Sequence, residues 1–163
     1  MFGRSQGINF GDIPKLLAPE ISLGGNFVFD TNGQYYSTTK VYGYIKKSTC
    51  KFSYLFLLGL LNSNTFWFFI QNTGYVLRGG YYTFKTNYVA PFPVPNYDSV
   101  SKNLINGIEE EVQKLLEKRE KDNTCDISSY MDKINDMIYE MYGVTESEIT
   151  TISSSNLKKG FHP

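Results

Sequence analysis

Apolar positions follow two different rhythms along this chain. Beyond residue 98 they recur every three or four residues; before it they come in short dense runs broken by glycine, proline and asparagine. Over residues 99–122, Val100, Leu104, Ile108, Val112, Leu115 and Leu116 line one helical face, with Glu109, Glu110, Lys114, Lys118 and Arg119 around them. After a loop at residues 123–126, the pattern repeats through Ile127, Met131, Ile134, Ile138 and Met141, and Gly143 stands where a helix-ending glycine would. Two such helices on a short link predict an antiparallel hairpin. The tail from Thr151, TISSSNLKKGFHP, has too little apolar content to fold and is expected to be loose.

The earlier part reads differently. KLLAPEIS (residues 15–22) suggests a first strand around residues 16–21, interrupted by Pro19. NFVFD (residues 26–30) is β-rich and leads into Thr31-Asn32-Gly33, a hairpin signal, with residues 34–37 and then 40–45 (KVYGYI) as the return. Residues 53–70 predict two short helices, the second capped by Ser63 or Asn64 and ended at residues 72–74. Residues 75–90 predict a hairpin around Arg78-Gly79-Gly80, after which Pro91, Pro93 and Pro95 hold the chain extended. The fold class expected is α+β: a small mixed β-sheet with internal helices over residues 1–98, a helical hairpin over 99–149, and a flexible tail over 150–163.

Residues 52–70 form a 19-residue apolar run, long enough to raise the question of a membrane. Asn62, Ser63 and Asn64 near its centre answer it, because unsatisfied amides in lipid are costly. A buried core with a polar break fits better, with Phe66, Trp67, Phe68 and Phe69 as core rather than a stacking platform. No secretory leader is evident at the N-terminus, and Cys50 and Cys125 have no metal-site spacing, so free thiols in a reducing cytoplasm are expected.

Charge changes the picture more than composition does. The net charge is zero, yet residues 1–95 carry eight Lys/Arg against three acids, and the remainder carries eight against thirteen. A basic half at +5 beside an acidic half at −5 hints at an anionic partner for the first. Catalytic chemistry is hard to assemble: the single histidine, His162, is next to the last residue, and neither a GxGxxG turn nor a P-loop occurs. Glu117 and Glu120 belong to a long exposed helix and lack the strand aspartate of a nuclease metal site.

The densest chemistry lies in residues 57–95. There Arg78 and Lys85 sit among Tyr75, Tyr81, Tyr82, Phe84 and Tyr88, offering charge for phosphates, flat faces for bases and a tight turn for close approach. On a strand, Tyr81 and Tyr82 point to opposite faces, and Lys85 and Asn87 share the face of Tyr81. Arg78 is the candidate base contact, since a guanidinium can bond guanine O6 and N7 together. Lys40, Lys46, Lys47 and Lys51 are candidate phosphate contacts.

Four segments taken together resemble a known family. NFVFDTNGQYYSTTKVYGYI (residues 26–45), YLFLLGLLNSNTFWFFI (54–70), GGYYTFKTNYVAPFPVP (79–95) and INDMIYEMYGVTESEI (134–149) are similar, in order and spacing, to the TaqI-like C-terminal specificity domain. That is the target-recognition part of adenine-specific DNA methyltransferases and of fused type II restriction–modification enzymes, and similar pieces occur in type I specificity subunits. The resemblance implies a bacterial, cytoplasmic, DNA-binding recognition domain over residues 1–98, followed by a helical connector. It also implies double-stranded DNA as partner, and a methyltransferase domain in cis or as a separate subunit. S-adenosylmethionine, and Mg2+ where the parent also cleaves, would belong to that other domain; the NPPY-type motif of such domains is missing here. Two other classes stay open: a docking module built on the acidic hairpin, and a complete small enzyme.

Overall fold

The structure, a computed structural model, describes residues 10–158. Residues 1–9, which carry Arg4 of the basic half, and residues 159–163 with His162 lie outside the described residues.

The first strand is the organiser. β1 (Lys15–Pro19) is buried from Lys15 to Ala18, and it runs between β3 (Val28–Asp30) and β4 (Val41–Tyr44), antiparallel to both. β2 (Ile21–Ser22) leaves this sheet at once and pairs with β5 (Tyr82–Thr83), so the chain from residue 15 to 22 stitches two small sheets together. All strand pairings among the described residues are antiparallel, where a mixed sheet was expected.

The hairpin expected around Thr31-Asn32-Gly33 does not form, because β3 and β4 are separated by β1. Asp30 accounts for the difference. Its carboxylate accepts the Gln34 and Tyr35 amides at 2.9 and 3.0 Å, which shapes residues 31–37 as a loop that carries the chain over β1. Gly33, at φ +63°, is pressed against the backbone of Asp12 and Ile13, where no Cβ fits.

The apolar run forms two helices as expected, α1 (Tyr54–Leu61) and α2 (Asn64–Thr73). Ser53 and Ser63 are their N-caps, accepting the amides of Phe56 and Phe66. The polar break between them is a fastener: Asn62 accepts the Phe27 amide at 2.8 Å and donates to the Phe27 carbonyl at 3.0 Å. Phe66 meets Phe27 and Phe92 edge-on, and Trp67 meets Tyr82 the same way, so these rings are core. Among the described residues no helix is long and apolar enough to cross a membrane.

The helical half matches its periodicity. α4 (Lys102–Lys121) and α5 (Ser128–Tyr142) pack antiparallel, with Met137 beside Gly107 and Lys133 near Glu111, and Gly143 ends α5 at φ +64°. The hairpin does not stand apart. A Cβ on Gly59 of α1 would lie 2.9 Å from Val112 and 3.1 Å from Ile108, and one apolar cluster runs from Leu16 to Ile138.

The terminal segment departs from expectation too. Residues 151–158, expected to be loose, belong to a helix, α6 (Glu146–Lys158). Ile152 and Asn156 turn inward, Ser155 donates to Gln71 at 2.9 Å, and the hydroxyls of Thr150, Thr151 and Ser154 bond carbonyls four residues back. A helix needs only a narrow inward stripe when its neighbour, α2, is already in place.

Candidate nucleic-acid interface

The glycine-rich turn is built as its sequence requires. Leu77 donates its amide to the Tyr81 carbonyl at 2.6 Å, and Gly80 donates to Leu77 at 3.1 Å, closing a short loop with Arg78 exposed on it. Gly79 and Gly80 sit at φ +87° and +82°, conformations that residues with a Cβ rarely adopt. Below the turn, Val76 bridges Tyr82 and Thr83 donates to the Tyr75 carbonyl, so the base of the hairpin is fastened to β5 and through it to β2. Tyr81 is 43% exposed and Tyr82 only 4%, the division of faces expected of neighbours on a strand.

Beyond Phe84 the expectation fails. Residues 86–89 are not strand but a single helical turn, α3 (Thr86–Val89), with Lys85 at its start. Lys85 and Asn87 therefore do not continue the Tyr81 face. They open instead onto a shallow groove that they share with Glu20, Ile21, Tyr75 and Leu77. The opposite faces of Tyr81 and Tyr82 were legible in the sequence, but the turn that Val89 and Phe92 make into the core was not.

The lysines divide into two sets. Lys40 lies on the groove side: its carbonyl accepts the Glu20 amide at 2.8 Å, and its ammonium is 3.5 Å from the Glu20 carboxylate. Lys46 is spent inside the fold, donating to the Phe52 carbonyl at 3.0 Å with its ammonium over the Tyr54 ring. Lys51 forms a bidentate pair with Asp98 at 2.7 and 2.8 Å. Lys47 is exposed in the loop after β4, with no ion pair among the described residues. Lys15, not considered before as a fold element, is buried on Asp30 at 2.7 Å. Burial alone would raise the Asp30 carboxyl; the Lys15 ammonium and the Gln34 and Tyr35 amides outweigh it and bring the pKa down to about 2.

The groove thus gathers Lys85, Asn87 and Tyr75, with Lys40 reaching its Glu20 and the Arg78 turn at the end of the hairpin that lines it. Tyr44 locks this region to the first sheet by donating to the Phe84 carbonyl at 2.6 Å. Glu20 is the residue that sequence reasoning passed over; its signal is its rarity, one of three acids in ninety-five residues, placed between two strand runs. Ammonium groups, an amide, flat phenols and one carboxylate on a fixed backbone suit a polyanion with readable edges. Among the described residues no group of three or more His, Cys, Asp or Glu could hold a metal ion.

Comparison with known proteins agrees on the architecture. No curated protein matches the chain. Seventeen solved chains match it in fold. One is the Type IIL restriction-modification enzyme MmeI, solved in complex with DNA: TM-score 0.63 at 19% identity, covering 91% of this chain and 21% of that one. At that identity the likeness is one of fold, and this chain spans about a fifth of its neighbour's length. Residues 3–94 match the family described as the TaqI-like C-terminal specificity domain. That span is more than half the chain and contains the hairpin, the groove and every candidate contact. The chain is therefore a member of the TaqI-like C-terminal specificity domain family.

Proposed function

We propose that this chain is the DNA-recognition module of a restriction–modification enzyme. It grips a duplex through the groove and glycine turn while a methyltransferase domain outside this chain flips and methylates an adenine at N6. The observation that carries the reading is the convergence of Tyr75, Lys85 and Asn87 on one groove, with Lys40 3.5 Å from its Glu20 and Arg78 next in chain to its Leu77, all within the family-matched span. Lys40, Lys47 and Lys85 supply phosphate contacts and register; Arg78, Asn87 and Tyr81 supply contacts to base edges and sugars. Lys46 contributes by holding the β4 loop against α1. Methyl transfer needs its target base out of the stack, so a module that fixes the flanking duplex lowers the disorder of that step without taking part in it. S-adenosylmethionine, and any Mg2+ for cleavage, would be bound by the other domain, in the bacterial cytoplasm.

A docking module, or a specificity subunit of a type I-like complex, is the second reading. It is favoured by an apolar cleft between β3 and the helical hairpin, lined by Val28, Leu115, Leu116, Met131 and Arg119. Fluorescence anisotropy with mixed-sequence duplex at about 50 and 200 mM salt separates the two. Recognition predicts binding that weakens by orders of magnitude across that range and falls with Lys85→Ala and Arg78→Ala. Absence of binding by folded protein at low salt would favour docking.

A further inference from the structure

The three acids of the first ninety-five residues have different fates. Asp30 is buried against Lys15, and Asp12 accepts the Tyr36 hydroxyl at 3.0 Å. Both are explained by the fold. Glu20 is the one carboxylate among the residues lining the groove.

Its position is fixed from both sides. The Glu20 amide donates to the Lys40 carbonyl, and the Glu20 carbonyl accepts the Phe84 amide, each at 2.8 Å. The residue thus sits at the junction of the two sheets, with β1 ending at Pro19 and β2 starting at Ile21. A side chain held on such a frame is preorganised in the way that readout requires. Its ion pair with Lys40 is long, and the Lys40 side chain is 80% exposed, so that pair is weak; the Glu20 carboxylate, 20% exposed, also accepts a hydrogen bond from the Tyr42 hydroxyl, which holds it in place at the groove.

A carboxylate in a groove that meets DNA is repelled by phosphates. That repulsion is offset only where the carboxylate meets a hydrogen-bond donor. In the major groove the donors are the exocyclic amino groups of cytosine and adenine. Adenine carries the N7 acceptor on its own edge beside its amino group, which repels a carboxylate; on cytosine the neighbour of the N4 amino group on its own ring is C5–H, and the nearest acceptor is the guanine O6 across the pair.

We propose that Glu20 is a specificity-determining residue that accepts a hydrogen bond from the N4 amino group of one cytosine in the target duplex. Lys40 leaves the carboxylate for a phosphate as the base arrives, and Lys85 and Asn87, which line the same groove, contact the flanking duplex. This assignment rests on the DNA-recognition reading above and adds to it the identity of one base.

The test is selection of bound duplexes from a randomised pool by the 163-residue chain and by Glu20→Gln, with thermal melting to match their folding. The wild-type chain is expected to enrich cytosine at one position by about tenfold or more. Glu20→Gln is expected to lose that preference at that position alone, while binding mixed-sequence duplex at least as tightly, since a negative charge has gone. Glu20→Asp, which keeps the charge with a shorter reach, should retain a weakened cytosine preference. If the wild-type chain selects a site and Glu20→Gln selects the same bases at every position, the Glu20 assignment is overturned and DNA recognition stands. If the wild-type chain binds no duplex, both fall together.

Discussion

Residues 10–95 and 102–158 are held together by different chemistry. In the helical half, charges lie on solvent faces and apolar stripes do the packing: Glu111 pairs with Lys114 and Lys133 at the surface, while Ile105, Ile108, Ile134 and Ile138 are buried. In the β half, polar groups are structural parts. Lys15 and Asp30 are an ion pair at 2% and 3% exposure, Lys46 donates to a backbone carbonyl, and Asn62 clamps the backbone of Phe27. The contrast shows why net charge locates an interface so coarsely. Of the seven described bases of the first half, Lys15, Lys46 and Lys51 are committed to the fold or to Asp98, and Lys40, Lys47, Arg78 and Lys85 are left for a partner.

Variants can break this contrast, beginning with the buried pair. Asp30→Ala strands the Lys15 ammonium in a dry site and should cost about 3–5 kcal/mol by denaturant melts. The wild-type protein should also show an acid slope. The folded-state pKa of about 2 lies below the ordinary 3.8, so this stabilisation is complete above that value and is lost as pH falls through about 2. Asp30→Ala should remove that part of the slope. Ile152→Ala, on the inward stripe of α6, is expected to cost about 2 kcal/mol, which a loose tail would not.

Gly59→Ala sharpens the comparison at the seam between the halves. The new methyl meets Val112 and Ile108 at 2.9 and 3.1 Å, an overpacking cost of about 1–3 kcal/mol. Helix propensity returns up to about 1 kcal/mol, so a net loss near 1 kcal/mol is expected by thermal melting. Smallest is Lys133→Ala, which removes an exposed 3.4 Å pair and should shift stability by less than about 0.5 kcal/mol. A large loss there would mean that the helical half, too, leans on its charges.

The parts legible in the sequence are those whose signal is local. The stripe from Val100 to Leu116 and the caps Ser53, Ser63 and Gly143 each specify a helix or its end within one or two turns. Strand order was not legible, because β1 pairs with partners that only the folded chain brings to it, and Thr31-Asn32-Gly33 looks the same whether its flanks pair or diverge. What decides is Asp30, whose carboxylate takes two loop amides and an ammonium at once. For the candidate residues, exposure was legible in the sequence and geometry was not. Arg78, Tyr81 and Lys85 are exposed as expected, but α3 re-aims Lys85 and Asn87 from the Tyr81 face into the groove. Lys46 and Lys51 show the same gap, since nothing local says whether an ammonium will find a carbonyl, a carboxylate or water.

The central claim is that duplex DNA meets the groove and the glycine turn rather than the helical half. The most direct test is to titrate isotope-labelled protein with duplex DNA and follow each backbone amide by NMR. The account predicts shifts concentrated at Glu20, Lys40, residues 75–81 and residues 85–87, with the amides of α4 and α5 nearly still. Shifts centred on α4 and α5, with the groove silent, would contradict it.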